Sequence, residues 1–214
     1  LKINPGPDIA LGHTPFNDTM NEKTQIRIVA GELRGRRLTV RVTPQLRPTP
    51  QMVREAFFSI LGDAIPDRLF FDIFAGTGVI GLEAIGRGAK SATFLEHDFQ
   101  LAGQIDHYLK EFDVADRGMV LRTDVYRWIE RWQPAREPIN VFLSPPFGDL
   151  KNRLDTFLNL VSTLQEKLPA GSVLTVQVET GFAEDRLPGT GWDRRQYGRN
   201  LLFIWVKTAA EPAE

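Results

Sequence analysis

The chain has 214 residues, 42% hydrophobic and 25% charged, with a formal net charge of −1 and a pI of about 6.4. That composition suits one soluble domain of ordinary size with a small appendage, and the global charge by itself points to no nucleic-acid partner. The absence of cysteine excludes disulfides, thiolate metal sites and a cysteine nucleophile.

The three histidines, His13, His97 and His107, form no metal-ligand spacing, so no metal is expected. No apolar stretch is long enough to cross a membrane and none reads as a signal peptide. A cytoplasmic monomer is expected. The first residue is Leu, and the numbering is expected to begin inside a longer reading frame.

Residues 1–23 are rich in Pro, Gly, Asn and Asp without periodicity and read as a mobile arm. Residues 23–54 carry eight basic side chains against Glu32 alone, a net of +7, so the remainder of the chain carries −8. Within that segment Ile26, Ile28 and Ala30 alternate with Arg27 and Val29. A turn follows over Gly31 to Gly35, and Leu38, Val40 and Val42 alternate again. The pattern predicts a β-hairpin. Its tip, with Arg34, Arg36 and Arg37, is either a phosphate-gripping surface or a solvated turn.

Thr49 suits a helix N-cap and Pro50 the first helical position. The helix is expected to reach about Leu61, burying Val53, Phe57, Ile60 and Leu61, and to stop at Gly62. Arg47 and Arg54 face either a ligand or solvent.

The main domain is expected to start near residue 65 and run to 208, with a hairpin-and-helix extension over 24–64 and a tail over 209–214. Leu69-Phe70-Phe71 reads as a buried strand. Asp72-Ile73-Phe74-Ala75-Gly76-Thr77-Gly78-Val79-Ile80-Gly81 then leads into a helix. Gly76, Gly78 and Gly81 match G-x-G-x-x-G, a strand-to-helix turn that lets a ligand approach the main chain, or a tight turn only. Ser91 to Glu96 is a second strand. Glu96, twenty positions after Gly76, either accepts ribose hydroxyls or caps the next helix. Met119-Val120-Leu121 is a third strand. Asp124 after it either accepts from an adenine amino group or N-caps the helix carrying Trp128, Ile129 and Trp132. Those tryptophans fall at helical spacing and read as core.

Ile139 to Leu143 is a fourth strand ending in Ser144-Pro145-Pro146-Phe147-Gly148. Two prolines there cannot extend a ladder and stiffen a loop at the carboxyl edge of the sheet. A helix is expected from Lys151 to about Leu168, a fifth strand from Ser172 to Val178, and a closing hairpin from Trp192–Tyr197 and Leu201–Val206 around Gly198-Arg199-Asn200. Strands alternating with helices predict an α/β fold with a mostly parallel sheet.

These residues carry a resemblance. Asp72-x-Phe74-Ala75-Gly76-x-Gly78-x-x-Gly81-x-Glu83-Ala84 resembles motif I of class I S-adenosylmethionine (SAM) methyltransferases. Arg27-Ile28-x-x-Gly31-x-x-Arg34-Gly35-Arg36-x-Leu38, with Leu46-Arg47-Pro48-Thr49 and Val53-Arg54-Glu55, resembles the N-terminal signature of the RsmD family of bacterial 16S ribosomal RNA guanine-N2 methyltransferases. Gln177-Val178-Glu179 and Tyr197-Gly198 also fit. The resemblance implies a Rossmann-like, seven-stranded sheet with an antiparallel C-terminal hairpin and SAM over the glycine turn, without a metal. It implies that Asp72 and the stretch Phe74, Ala75, Gly76, Thr77 and Gly78 hold the amino-acid end. Glu96 with His97 would take the ribose, Asp124 with Val125 the adenine, and Ser144 would line the same pocket. Ser144, Pro145, Pro146 and Phe147 would form the catalytic corner. Arg34, Arg36, Arg37, Arg47 and Arg54 would bind RNA, the partner being ribosomal RNA or a small-subunit particle.

Two positions depart from the family. Ser144 stands where an Asn or Asp is usual, and Gln51 where an acid is more frequent; nothing explains the latter. Ser144 leaves a second reading, a weak or inactive SAM- and RNA-binding protein on the same fold. A nucleotide-dependent dehydrogenase is disfavoured by Asp72, the Pro-Pro loop and the lack of a placed hydride-transfer partner. A small-molecule methyltransferase would not need the basic hairpin.

Overall fold

The computed structural model of the protein describes residues 23–41, 46–134 and 136–209. The expected arm up to residue 22, Val42 of the expected hairpin and the tail beyond residue 209 lie outside the described residues.

Alternating apolar residues make β1 (Lys23–Arg27) and β2 (Arg37–Arg41) an antiparallel ribbon, with Ile26 opposite Leu38 on the buried face. The 11-residue helix α1 (Gln51–Leu61) follows, and Gly62, at φ 45°, terminates it. Its apolar face is Val53, Phe57, Phe58 and Leu61. Ile60, expected inside, is 38% exposed, and Phe58 takes its place. The expected cap is also corrected. Pro50 occupies the N-cap position, its carbonyl accepting from Val53 and Arg54, while the buried Thr49 hydroxyl donates instead to Gln177 Oε1 at 2.8 Å.

The main sheet has seven strands: β3 (Leu69–Ile73), β4 (Ser91–Glu96), β5 (Gly118–Arg122), β6 (Ile139–Leu143), β7 (Val173–Glu179), β8 (Asp193–Tyr197) and β9 (Asn200–Val206), in the spatial order β5-β4-β3-β6-β7-β9-β8. The first five run parallel, and β9 is antiparallel to both β7 and β8. Phe70, Phe94 and Phe142 pack on one face with α1, α2 (Val79–Gly86) and α3 (Phe99–Glu111). Ile73, Leu95 and Val141 pack on the other with α4 (Val125–Arg131) and α6 (Leu154–Lys167). Strands covered on both faces read as near-continuous apolar runs, which is why Ile139–Leu143 is buried throughout.

The helix expected over 151–168 is two helices, α5 (Phe147–Asn152) and α6, broken at Arg153, whose φ of −135° leaves the helical region. The described part of the extension, residues 24–41 and 46–64, shares one apolar cluster with the sheet: Phe57 lies 4.8 Å from Phe142 and 6.4 Å from Phe70, ring centroid to centroid. A buried ion pair adds to this. Arg54 Nε meets Glu83 Oε1 of α2 at 2.8 Å, and its other nitrogens donate to the carbonyls of Thr49 and Arg27.

Candidate functional site at the carboxyl edge of the sheet

The chain diverges in both directions from β3, with β4 on one side and β6 on the other, which opens a crevice at the strand ends. Register fixes what meets there. Ile73 pairs with Leu95 and with Leu143, and Leu95 with Leu121, so Phe74, Glu96, Arg122 and Ser144 stand in the next row.

The glycine turn is built by its own hydrogen bonds. Gly78, at φ 72°, sits in the left-handed region that side chains resist, and its N–H donates to the Ala75 carbonyl at 2.8 Å. At Gly81 a Cβ would come within 2.2 Å of the Phe94 ring, so only glycine lets α2 pack this close to β4. Phe74 itself holds φ 63°, uncommon for a bulky residue, and its ring rests 5.9 Å from that of Tyr126. Thr77 is buried in the turn.

Glu96, 6% exposed, closes onto this turn. Its Oε2 accepts from Gly76 N and its Oε1 from Asp98 N, both at 2.8 Å, and the exposed His97 Nδ1 lies 3.2 Å from Oε1. The helix that follows is capped by Asp98, not Glu96: Asp98 accepts from Gln100 N and Leu101 N. A carboxylate with two donors still has lone pairs for two hydroxyls. Asp124 does cap α4, accepting from Tyr126 N at 2.8 Å, and remains exposed with its second oxygen without a described bond; Val125 beside it is buried. Trp128 and Trp132, expected in the core, are partly buried and pack with Phe71 against its margin.

Asp72 is placed differently from the expectation that it holds a ligand. It is 2% exposed, and its Oδ2 accepts from Gly81 N at 2.9 Å. It therefore lies behind the turn and fastens the start of α2. Burial pushes its pKa up to about 7; the bond from Gly81 opposes this and the nearby Glu96 adds to it.

The Pro-Pro corner lies against the glycine turn. Ser144 N donates to the Ile73 carbonyl at 3.3 Å, directly before Phe74. Pro145 is buried, Pro146 sits at the N-cap of α5, and Phe147 is 71% exposed. Sequence reasoning missed what holds this corner. Tyr126 Oη donates to Asp149 Oδ2 at 2.6 Å, and the Arg153 guanidinium stacks 4.3 Å above the Tyr126 ring. Burial first, and then the bond to Asp149, push the Tyr126 phenol's pKa up. Tyr126 is two residues past Asp124, so one side chain ties the third strand end to the proline corner. Its only sequence signal was an aromatic in the first turn of a helix.

The arginines separate. Arg54, expected on a binding surface, is 3% exposed and locked to Glu83, which also pairs with Arg87; it cannot reach a phosphate. Arg47 is exposed and lies 3.4 Å from Glu179 at the carboxyl end of β7. Arg34, Arg36 and Arg37 are exposed, but at the opposite edge of the sheet. The hairpin tip is fixed there by Glu32 N donating to the Gly86 carbonyl at the far end of α2, and by Arg117, just before β5, pairing with Glu32. The structure thus brings together Phe74–Gly78, Glu96, Asp124 and Ser144–Phe147, and leaves the tip arginines a full strand length away. Among the described residues no group of three or more metal-ligating side chains occurs and no helix is long and apolar enough to cross a membrane.

This strand order, the glycine turn under an acid and the proline corner beside it define a Rossmann-like class I methyltransferase fold. The chain belongs to the family described as Conserved hypothetical protein 95, the RsmD family, which matches residues 26–206. Among its relatives, Ribosomal RNA small subunit methyltransferase D of Escherichia coli strain K12 is 36% identical over 137 residues, 64% of this chain and 67% of that protein. A solved structure named as the putative methyltransferase yhhF from Escherichia coli superposes with a TM-score of 0.70 at 30% identity, covering 87% of this chain and all of the other. An RNA methyltransferase of Salinibacter ruber in complex with S-adenosyl-L-homocysteine shares the fold at a TM-score of 0.55 and 16% identity, over 78% of this chain and 98% of that one.

Proposed function

We propose that this protein transfers a methyl group from SAM to the exocyclic N2 amino group of a guanine in small-subunit ribosomal RNA. The observation that carries the reading is the bond from Ser144 N to the Ile73 carbonyl, which sets an acceptor-bearing corner beside the glycine turn, level with Glu96. The family relationship supports the RNA substrate, since relatives carry the name of a small-subunit ribosomal RNA methyltransferase.

The residues fit the cofactor. Gly76 to Gly78 offer a backbone surface next to a nearly buried carboxylate, Glu96, that keeps lone pairs for a ribose, and Asp124 keeps an oxygen for an adenine amino group. Asp72 contributes by holding the turn from behind. Bound there, SAM would supply a sulfonium methyl to the amino nitrogen and leave as S-adenosylhomocysteine, and the nitrogen would release one proton.

A guanine amino nitrogen is a poor nucleophile because its lone pair is delocalised into the ring. The Ser144 hydroxyl and the Pro145 carbonyl can each accept one of its N–H bonds, which turns the lone pair toward the methyl group. Exposed Phe147 offers a face on which the extruded base stacks. The rate gain is orientation together with electrostatics. Serine carries no charge and is shorter than Asn or Asp, so it is the weaker acceptor; losing one well-aimed polar partner costs roughly 10²–10³ in rate.

Titration calorimetry with SAM, followed by transfer of labelled methyl from SAM to 30S particles or 16S RNA, tests the proposal. Transfer to guanine N2 is expected. SAM binding with no transfer to either substrate would support the second reading that Ser144 favours, a SAM- and RNA-binding protein without catalysis.

A further inference from the structure

The exposed face of the β1–β2 ribbon carries a charge pattern that folding alone does not favour. Lys23 stands opposite Arg41, Gln25 opposite Thr39, and Arg27 opposite Arg37, all on the face turned from the core. Two like-charge pairs directly across an antiparallel ribbon repel, and the two strands contain no acidic residue. The lower pair is eased by Arg37 donating to Gln25 Oε1 at 3.0 Å. Among the described residues the upper pair, Lys23 and Arg41, forms no ion pair.

That upper pair borders a cavity. Lys23, Thr39, Val40 and Arg41 from the ribbon, with Gln100 and Gln104 from α3, line an open depression of about 500 Å³, within the size range of small-ligand sites. The ribbon is pinned to α3 below it by Tyr108, whose hydroxyl bonds both the N–H and the carbonyl of Thr39, at 2.7 and 3.0 Å. Gln104 Oε1 is buried without a hydrogen-bond partner, and a buried acceptor left unmet costs free energy until a donor arrives. Gln100 lies in the first turn of α3, two residues beyond Asp98, so the cavity adjoins the Glu96 side of the candidate site.

We propose that this cavity seats a nucleotide of the substrate RNA strand beside the target base. Lys23 and Arg41 hold its phosphate, and the Gln100 and Gln104 amides meet its base edge, Gln104 turning its buried Oε1 outward to accept from a base N–H. The inference rests on the RNA reading above and deepens it. It moves the functional charge of the hairpin from the tip to its open end.

Binding of protein-free 16S RNA measured over a salt series tests it, with SAM titration as a check of folding. The Lys23→Ala/Arg41→Ala variant is expected to bind RNA at least tenfold more weakly at moderate salt and to lower the slope of log affinity against log salt by about 0.7–0.9, one phosphate's worth. Gln104→Leu, which keeps the volume and removes the acceptor, is expected to weaken RNA binding several-fold with an unchanged slope. SAM affinity is expected to stay as in the parent for both. RNA affinity and slope unchanged in the Lys23/Arg41 variant would overturn the cavity assignment while leaving the enzyme reading intact. Failure of the unaltered protein to bind either protein-free 16S RNA or 30S particles would overturn both.

Discussion

Ser144 concentrates the chemical question in one side chain. If its hydroxyl is the weaker acceptor, Ser144→Asn should raise the methyl-transfer rate by about tenfold or more with SAM affinity unchanged, since the loss of one aimed polar group is worth roughly 10²–10³. A single-turnover assay against 16S RNA or 30S particles reads this directly; a loss of rate would mean that the base sits in a different pose. Asp72 makes a second prediction. Its folded pKa, about 7, lies above the ordinary value of 3.8, so the folded state binds more protons between those values. The stability it contributes is fully present below about pH 4 and is lost as the pH rises through 7. Asp72→Asn keeps an oxygen for Gly81 N and has no charge to bury. Its stability relative to the parent should therefore rise between pH 4 and 8, by on the order of 2–4 kcal/mol at about 1.4 kcal/mol per pK unit. Urea midpoints at pH 5 and pH 8 check the sign.

At the scale of elements, two contacts join pieces of chain that are distant in sequence. Arg54 of α1 and Glu83 of α2 are both almost fully buried. Removing Arg54 leaves Glu83 with Arg87 alone and takes the donor from the Thr49 and Arg27 carbonyls, a cost of about 3–5 kcal/mol. Arg54→Ala should lower the urea midpoint accordingly, and Arg54→Met combined with Glu83→Leu should recover much of the loss. Tyr126 joins α4 to α5 through Asp149. Tyr126→Phe should leave SAM affinity intact and lower kcat several-fold, because the proline corner loses the bond that aims it. An unaltered kcat would show that the two prolines hold the corner unaided. The ring packing on Phe74 is retained in this variant, so the readout isolates the hydroxyl.

For the whole molecule, the shared cluster around Phe57, Phe58, Phe70 and Phe142 means that residues 23–41 and 46–64 are a structural part of the sheet's covering layer. One cooperative unfolding transition is expected. Trp fluorescence reports the face of α4 and β9, far-UV circular dichroism reports the whole chain, and the two should coincide. Separate transitions would mean that the N-terminal segment folds as its own unit.

Much of this was legible in the sequence because it depends on local periodicity and on turn chemistry. The alternation in residues 26–40, the glycines before α2 and the acid ending β4 each fixed an element and a strand end, and parallel strands with helical crossovers set the fold class. The single row of Phe74, Glu96, Arg122 and Ser144 was not legible, because register across strands is a relation between segments far apart in the chain. Nor was the fate of the arginines: a guanidinium in a helix reads alike whether its partner is a phosphate or a buried carboxylate. Packing alone put Arg54 against Glu83, sent Arg34, Arg36 and Arg37 to the far edge, and left Lys23 and Arg41 beside Gln100 and Gln104 of α3. The sequence by itself determined which elements form and which chemistry their ends can carry; the tertiary structure decided which of those ends meet, since burial and charge pairing act through space and not along the chain.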